Sequence, residues 1–299
     1  MAEDGQPTEL KLPWGRWFKL AGWTFLIGYT VVLVSFTLLQ RYLIYVPFHI
    51  SREIAEESGA KVGFLPWRNA ANQFIGWKSA AASPPIGSIL IVHGNAGWAL
   101  RRAYMAAPIH EAAALDVYIL EYPGYGSRSG TPGMASLLNA ADDAFANLPT
   151  NVPIYVVSES LGTGVAAHLA QKNPDRVAGL AMFVPYDKLA SVAENHVPFL
   201  PAYYLLWDRF DPADWLKDYR GPVEIILAGD DDIIPPVLGH RLYDGYAGPK
   251  LLQVIAGAGH GHTMNESPEW WREVIAFWQQ HPVPSSPEPT HTAAAAPHS

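Results

Sequence analysis

The stretch P-I-Y-V-V-S-E-S-L-G-T-G, residues 153–164, decides how the rest of the chain is read. Ile154, Tyr155, Val156 and Val157 form a short apolar, β-favouring run, and a helical pattern begins at Thr163. Strand, sharp turn and helix follow one another, with a serine at the apex. A residue on such a turn is held in a strained backbone conformation, and the residues two before and two after it must be small to avoid collision. Ser158 and Gly162 satisfy that rule around Ser160, whereas around Ser158 the flank would be the bulky Val156. Ser160 is therefore the candidate nucleophile, although Ser158 stands where the usual G-x-S-x-G signature has its first glycine. Without further agreement, the same residues read equally well as a turn whose serines cap a helix.

Agreement comes from the surrounding alternation. Apolar strands are predicted at 88–92, 117–121, 154–157, 179–184, 223–228 and 251–255, with helices at 99–115, 134–147, 163–172 and 268–280. A strand at 74–77 precedes them, and residues 42–83 otherwise read as short strands and turns. Short continuous apolar strands separated by helices predict an α/β fold, a mostly parallel sheet covered on both faces. Ligands and chemistry in such sheets gather at the carboxyl ends of the strands.

Three of those ends carry reactive groups. His93-Gly94-Asn95 follows the first, and a glycine-bearing turn there presents backbone N–H groups to developing negative charge. Asn95 is the expected donor and the N–H of Leu161 its partner, while His93 holds the turn. Gly229-Asp230-Asp231-Asp232 follows the strand at 223–228, and Gly257-Ala258-Gly259-His260 follows the last. The aspartates read as a solvated turn, a cation site or the acid of a triad. A lone histidine is more often structural, but Ser, Asp and His in this chain order at three strand ends suit a catalytic triad. The loop 121–130 lacks the ending of a phosphate-cradling loop and reads as a wall of the site.

Residues 20–39 contain no charged side chain, and about twenty helical residues span the ~30 Å core of a bilayer. Trp14, Trp17, Phe18, Tyr42 and Tyr45 flank the run as interfacial aromatics beside Lys19 and Arg41. The expected organisation is a polar segment at 1–19, a membrane anchor at 20–40, a globular domain at 41–281 with a short cap at 185–222, and a disordered Pro- and Ala-rich tail at 282–299. The nearest flanking charges place the N-terminus inside and the globular domain outside the cytoplasm. A formal charge of -8 gives no reason to expect nucleic acid, and the absence of cysteine excludes disulfides, thiolate metal sites and a cysteine nucleophile.

The chain resembles the α/β-hydrolases, and within them the membrane-anchored serine hydrolases whose N-terminal transmembrane helix precedes this domain. The resemblance rests on R-Y-L-I-Y-V-P (41–47), H-G-N-A-G (93–97), Y-P-G-Y-G-S-R-S-G (122–130), S-E-S-L-G (158–162), P-F-L-P-A-Y-Y-L-L-W-D-R-F-D (198–211), D-D-I-I-P-P (231–236) and G-A-G-H (257–260). It implies cleavage of an acyl ester by Ser160, His260 and an aspartate, without a cofactor or metal, on a small acyl or lipid-like substrate. Counting back from Ile233-Ile234-Pro235 makes the acid Asp231, and counting forward from Gly229 makes it Asp232; the hydrophobic anchor favours Asp231. Thioesterase or peptidase chemistry, an inactive membrane-tethered binding protein, and a metal site built from Asp230 to Asp232 with His260 and His262 are the rivals.

Overall fold

The computed structural model describes residues 14–283. Residues 1–13, and residues 284–299 of the expected tail, lie outside that range. By its contacts the chain divides after Gln40.

The first unit is carried by helix α1, Trp14–Ile44. Among the described residues, its span Arg16–Ile44 is the one helix long and apolar enough to cross a membrane. The helix is longer at both ends than the expected anchor. Thr24, Thr30 and Thr37 return their hydroxyls to the carbonyls of Leu20, Leu26 and Leu33, which satisfies polar groups inside an apolar run.

The second unit begins at Arg41. In chain order its elements are β1 (Val46–Pro47), α2 (Arg52–Lys61), β2 (Leu65–Arg68), β3 (Phe74–Ser79), β4 (Gly87–Val92) and β5 (Ala96–Gly97). A 3-10 stretch, Ala99–Met105, leads into α3 (Ala106–Ala112), β6 (Leu115–Leu120), α4 (Met134–Ala146), β7 (Ile154–Glu159), α5 (Gly162–Lys172) and β8 (Val177–Phe183). Between β8 and the next strand, where the short cap is expected, lie α6 (Leu189–His196), α7 (Ala202–Leu205) and α8 (Pro212–Trp215). Then come β9 (Val223–Ala228), α9 (Pro236–Gly245), β10 (Lys250–Ile255) and α10 (Pro268–Gln280).

Eight strands form one sheet in the order β10-β9-β8-β7-β4-β6-β3-β2, parallel from β10 to β6 and antiparallel at β6/β3 and β3/β2. Every residue of β4, β7 and β9 is buried because both faces are covered. Leu90, Val156, Leu180 and Ile225 join α4, α5 and α9 on one face. Ile89, Tyr155, Phe183 and Ile226 join α3 and α10 on the other, where the Tyr155 ring stacks on Trp278 at 4.6 Å.

Three expectations are corrected. Residues 42–83 contain a helix, α2, whose start is capped by Ser51 but whose buried positions are only Ala55 and Gly59, too small to give a hydrophobic period. The single helix expected over 99–115 is a 3-10 stretch and a short α-helix. It stops at Ala112 because Leu115 pairs with Gly87, and sheet pairing outweighs the helix preference of the alanines. Helix α9, between the last two strands, was not foreseen.

Candidate active site

Ser160 directly follows β7 and adopts a left-handed backbone conformation with φ 51°. Its N–H donates to the Phe183 carbonyl at 2.9 Å, and its carbonyl accepts from the Thr163 hydroxyl at 2.7 Å. The turn is so tight that a Cβ at Gly162 would lie 2.3 Å from the Val92 oxygen and 2.6 Å from that of His93. Only glycine fits there. Ser158 is buried within β7 and donates its hydroxyl to Ala181, so it is spent on the neighbouring strand.

Asp231 leaves β9 with its carboxylate fixed by the backbone: Oδ1 accepts from Ile233 and Ile234 at 2.9 and 2.8 Å. Its Oδ2 lies 2.8 Å from His260 Nδ1, and His260 Nε2 lies 3.0 Å from Ser160 Oγ. In that network Nδ1–H donates to Asp231, which leaves Nε2 free to accept the serine proton. The Asp231 side chain is almost wholly buried and the His260 ring is four-fifths buried. Asp230, Asp232 and His262 are exposed. Among the described residues, no three His, Cys, Asp or Glu side chains are grouped to hold a metal.

Register brings the His-Gly turn to the same place. Val92 pairs with Ser158, so Gly94 lies beside the serine, and a Cβ on it would stand 3.3 Å from Ser160 Cβ. The Asn95 carbonyl accepts from the Val46 N–H and the Tyr125 hydroxyl, at 3.1 and 2.8 Å. The Asn95 and Leu161 N–H groups donate to no other described residue. His93 holds the turn from behind: its Nδ1 donates to the Gly94 carbonyl at 2.8 Å, and Tyr122 donates to the His93 carbonyl at 3.0 Å. Burial pushes the His93 pKa down to about 3, so the ring is neutral.

The loop 121–130 packs against the same turn. It braces the turn through Tyr122 and Tyr125. Glu121 accepts from the Ala99 N–H at 3.0 Å, and burial raises its carboxyl to about 7. The sheet order sets β6 next to β4, so the loops that follow the two strands meet.

Two residues at the site escaped sequence reasoning. Glu159, the residue before Ser160, forms a buried ion pair with Arg102, Nη2 to Oε2 at 2.6 Å and Nε to Oε2 at 2.7 Å. Nothing in the sequence pointed to Arg102, which lies 57 positions away.

A family pattern described as alpha/beta hydrolase fold matches residues 87–210, which run from β4 into the cap. The chain has the alpha/beta hydrolase fold. A relative in Mycobacterium tuberculosis, an uncharacterised protein, is 35% identical over 178 residues, covering 58% of this chain and 62% of that protein. The lysophosphatidylserine lipase ABHD12 of Danio rerio is 29% identical over 211 residues, covering 62% of this chain and 54% of its own. The match thus spans less than two thirds of these curated relatives. Among solved structures, a membrane phospholipase A described as a bacterial virulence factor superposes with a TM-score of 0.59 at 13% identity, over 87% of this chain and 97% of that one. At that identity the likeness concerns the fold alone.

The aromatics between β8 and β9 divide by burial. Tyr186 and Phe210 are buried against Gly164 of α5, while Phe199, Tyr203, Tyr204 and Trp207 are exposed.

Proposed function

We propose that this protein is a membrane-anchored serine hydrolase that cleaves acyl esters. The observation that carries the reading is the relay Ser160 Oγ, His260 Nε2, His260 Nδ1, Asp231 Oδ2, with both links at hydrogen-bond length. Ser160 attacks the acyl carbon as its proton passes to His260 Nε2. The carbonyl oxygen gains the negative charge and is held by the N–H groups of Asn95 and Leu161. Collapse expels the alcohol, which takes the proton from His260. Water then repeats the sequence on the acyl-enzyme and releases the acid with Ser160 regenerated. Asp231 keeps the imidazole in the required tautomer and stabilises its cationic form.

A lipid-like ester is the favoured substrate class. The apolar helix Arg16–Ile44 would keep the domain near amphipathic substrates, and the likeness to a lysophosphatidylserine lipase supports the same direction. The charges beside the helix favour a globular domain outside the cytoplasm, which protease protection in intact cells tests.

The deciding experiment is labelling of the full chain by a fluorophosphonate, which reacts only with an activated serine. Wild type is expected to label and Ser160→Ala to lose both labelling and hydrolysis of a p-nitrophenyl ester. An unlabelled wild type, or a fully active Ser160→Ala, removes the reading. A panel of acyl esters, thioesters and aminoacyl amides then fixes the bond type.

A further inference from the structure

We infer that the buried Arg102–Glu159 ion pair is a positioning device for the oxyanion turn, and that its charge balance is what the chemistry requires. The inference rests on the proposed serine-hydrolase reading and adds two residues to it.

The pair grips the turn on both sides of Asn95. A Cβ on Gly94 would lie 3.4 Å from the Glu159 carboxyl carbon and from its Oε1, so the carboxylate closes one side of the residue that precedes Asn95. On the other side, Arg102 Nη1 donates to the Ala96 carbonyl at 3.3 Å, and a Cβ on Gly97 would come within 3.3 Å of the same nitrogen. Glu159 is also the residue before Ser160, so one ion pair connects the nucleophile's strand to the donor's turn. Both side chains are 11% exposed, which keeps solvent from screening them.

A carboxylate beside the Asn95 peptide opposes the negative charge that builds on the carbonyl oxygen during attack, and Arg102 cancels it. Removal of Arg102 alone leaves a buried, uncompensated anion next to the reaction. Removal of both charges leaves a neutral wall. The cost of the first change falls on the transition state, because the ester carbonyl of the ground state carries little charge.

Three variants of the full chain in detergent test this: Arg102→Met, Arg102→Lys, and the double variant Arg102→Met with Glu159→Gln. The readouts are kcat and KM for p-nitrophenyl butyrate, with kcat expressed per serine titrated to completion by fluorophosphonate, and Tm alongside. Arg102→Met is expected to lose about 30-fold in kcat with KM within about twofold. Restoration of most of that loss by the double variant is the decisive expectation, since a packing role predicts the double to be as poor as the single or poorer. Arg102→Lys keeps the charge but shortens the reach to Ala96, and should lose roughly threefold to tenfold. It supplies the same reading if Arg102→Met does not fold. Wild-type kcat in both Arg102 variants overturns the inference, as does a double variant no faster than Arg102→Met. Failure of the serine reading itself looks different, because wild type would then not react with the probe.

Discussion

Arg41 clasps Asp208 in a two-point grip, with Nε 3.2 Å from Oδ2 and Nη2 3.2 Å from Oδ1, and the Tyr45 hydroxyl adds a third bond to Oδ2 at 2.8 Å. Arg41 and Tyr45 sit where the chain enters the globular unit, and Asp208 sits in the cap between α7 and α8. The carboxylate is 5% exposed and the guanidinium 48%. Asp208→Asn keeps the shape and the phenol bond but removes the charge that Arg41 faces. A pair buried on one side only should lose about 2 kcal/mol, a fall in Tm of about 4–8 °C for a domain of this size. Thermal unfolding in detergent reads it directly, and an unchanged Tm would mark the pair as no more than a surface contact.

The identity of the triad acid yields a sharper comparison. Asp231→Asn keeps its amide oxygen at the Oδ1 position, where Ile233 and Ile234 donate, and turns an NH2 donor toward His260 Nδ1, which favours the wrong tautomer. A loss of roughly 10³ to 10⁴ in kcat is expected. Asp232→Asn, at an exposed position, should stay within about twofold of wild type. Equal losses in the two variants would contradict the assignment.

The elbow makes opposite demands at its two flanks. Gly162→Ala must push a methyl group into the Val92 and His93 carbonyls, and backbone does not yield as a side chain does. The expected cost is above ~3 kcal/mol, visible as loss of soluble protein. Ser158→Gly, which restores the usual first residue, removes one hydrogen bond to Ala181 and adds backbone freedom to a strand. About 1 kcal/mol of stability should go, with esterase activity kept. Expression and ester hydrolysis of the two variants separate the cases, and an active, well-folded Gly162→Ala would show that the turn is looser than its geometry.

Much of this arrangement was legible because steric and periodic rules act locally. The small flanks of Ser160 selected the apex, and the strand pattern set the loops of Asn95, Asp231 and His260 at one sheet edge. The choice between Asp231 and Asp232 turned on Ile233 and Ile234, and those are the residues whose N–H groups hold Asp231 Oδ1. What stayed hidden depends on distant pairing. Arg102 is one of two adjacent arginines in an alanine-rich stretch, and no local pattern tells which one turns inward to Glu159. Likewise R-Y-L-I-Y-V-P and D-R-F-D read as separate blocks until Arg41, Tyr45 and Asp208 meet across more than 160 positions. Helix α2 escaped because its buried face is only an alanine and a glycine.

Two buried carboxyls give the stability a pH dependence with a definite sign. Burial raises both Glu121 and Glu224 from 4.5 to about 7, and at Glu224 the neighbouring Glu266 adds to the shift. Between those values the folded chain keeps a proton that the unfolded chain has released, so stability is full below about pH 4.5 and falls as pH rises to about 7. Each group contributes on the order of 3 kcal/mol to that fall. Glu224 separates cleanly, because its Oε2 has no hydrogen-bond partner among the described residues and it lies on β9 away from the Ser160 turn. Glu224→Gln cannot ionise, so its unfolding free energy should decline less steeply between pH 5 and pH 8, with the variant gaining most on wild type at the alkaline end. Denaturant unfolding at several pH values measures the slope, and parallel slopes for the two proteins would mean that Glu224 stays ionised in the fold.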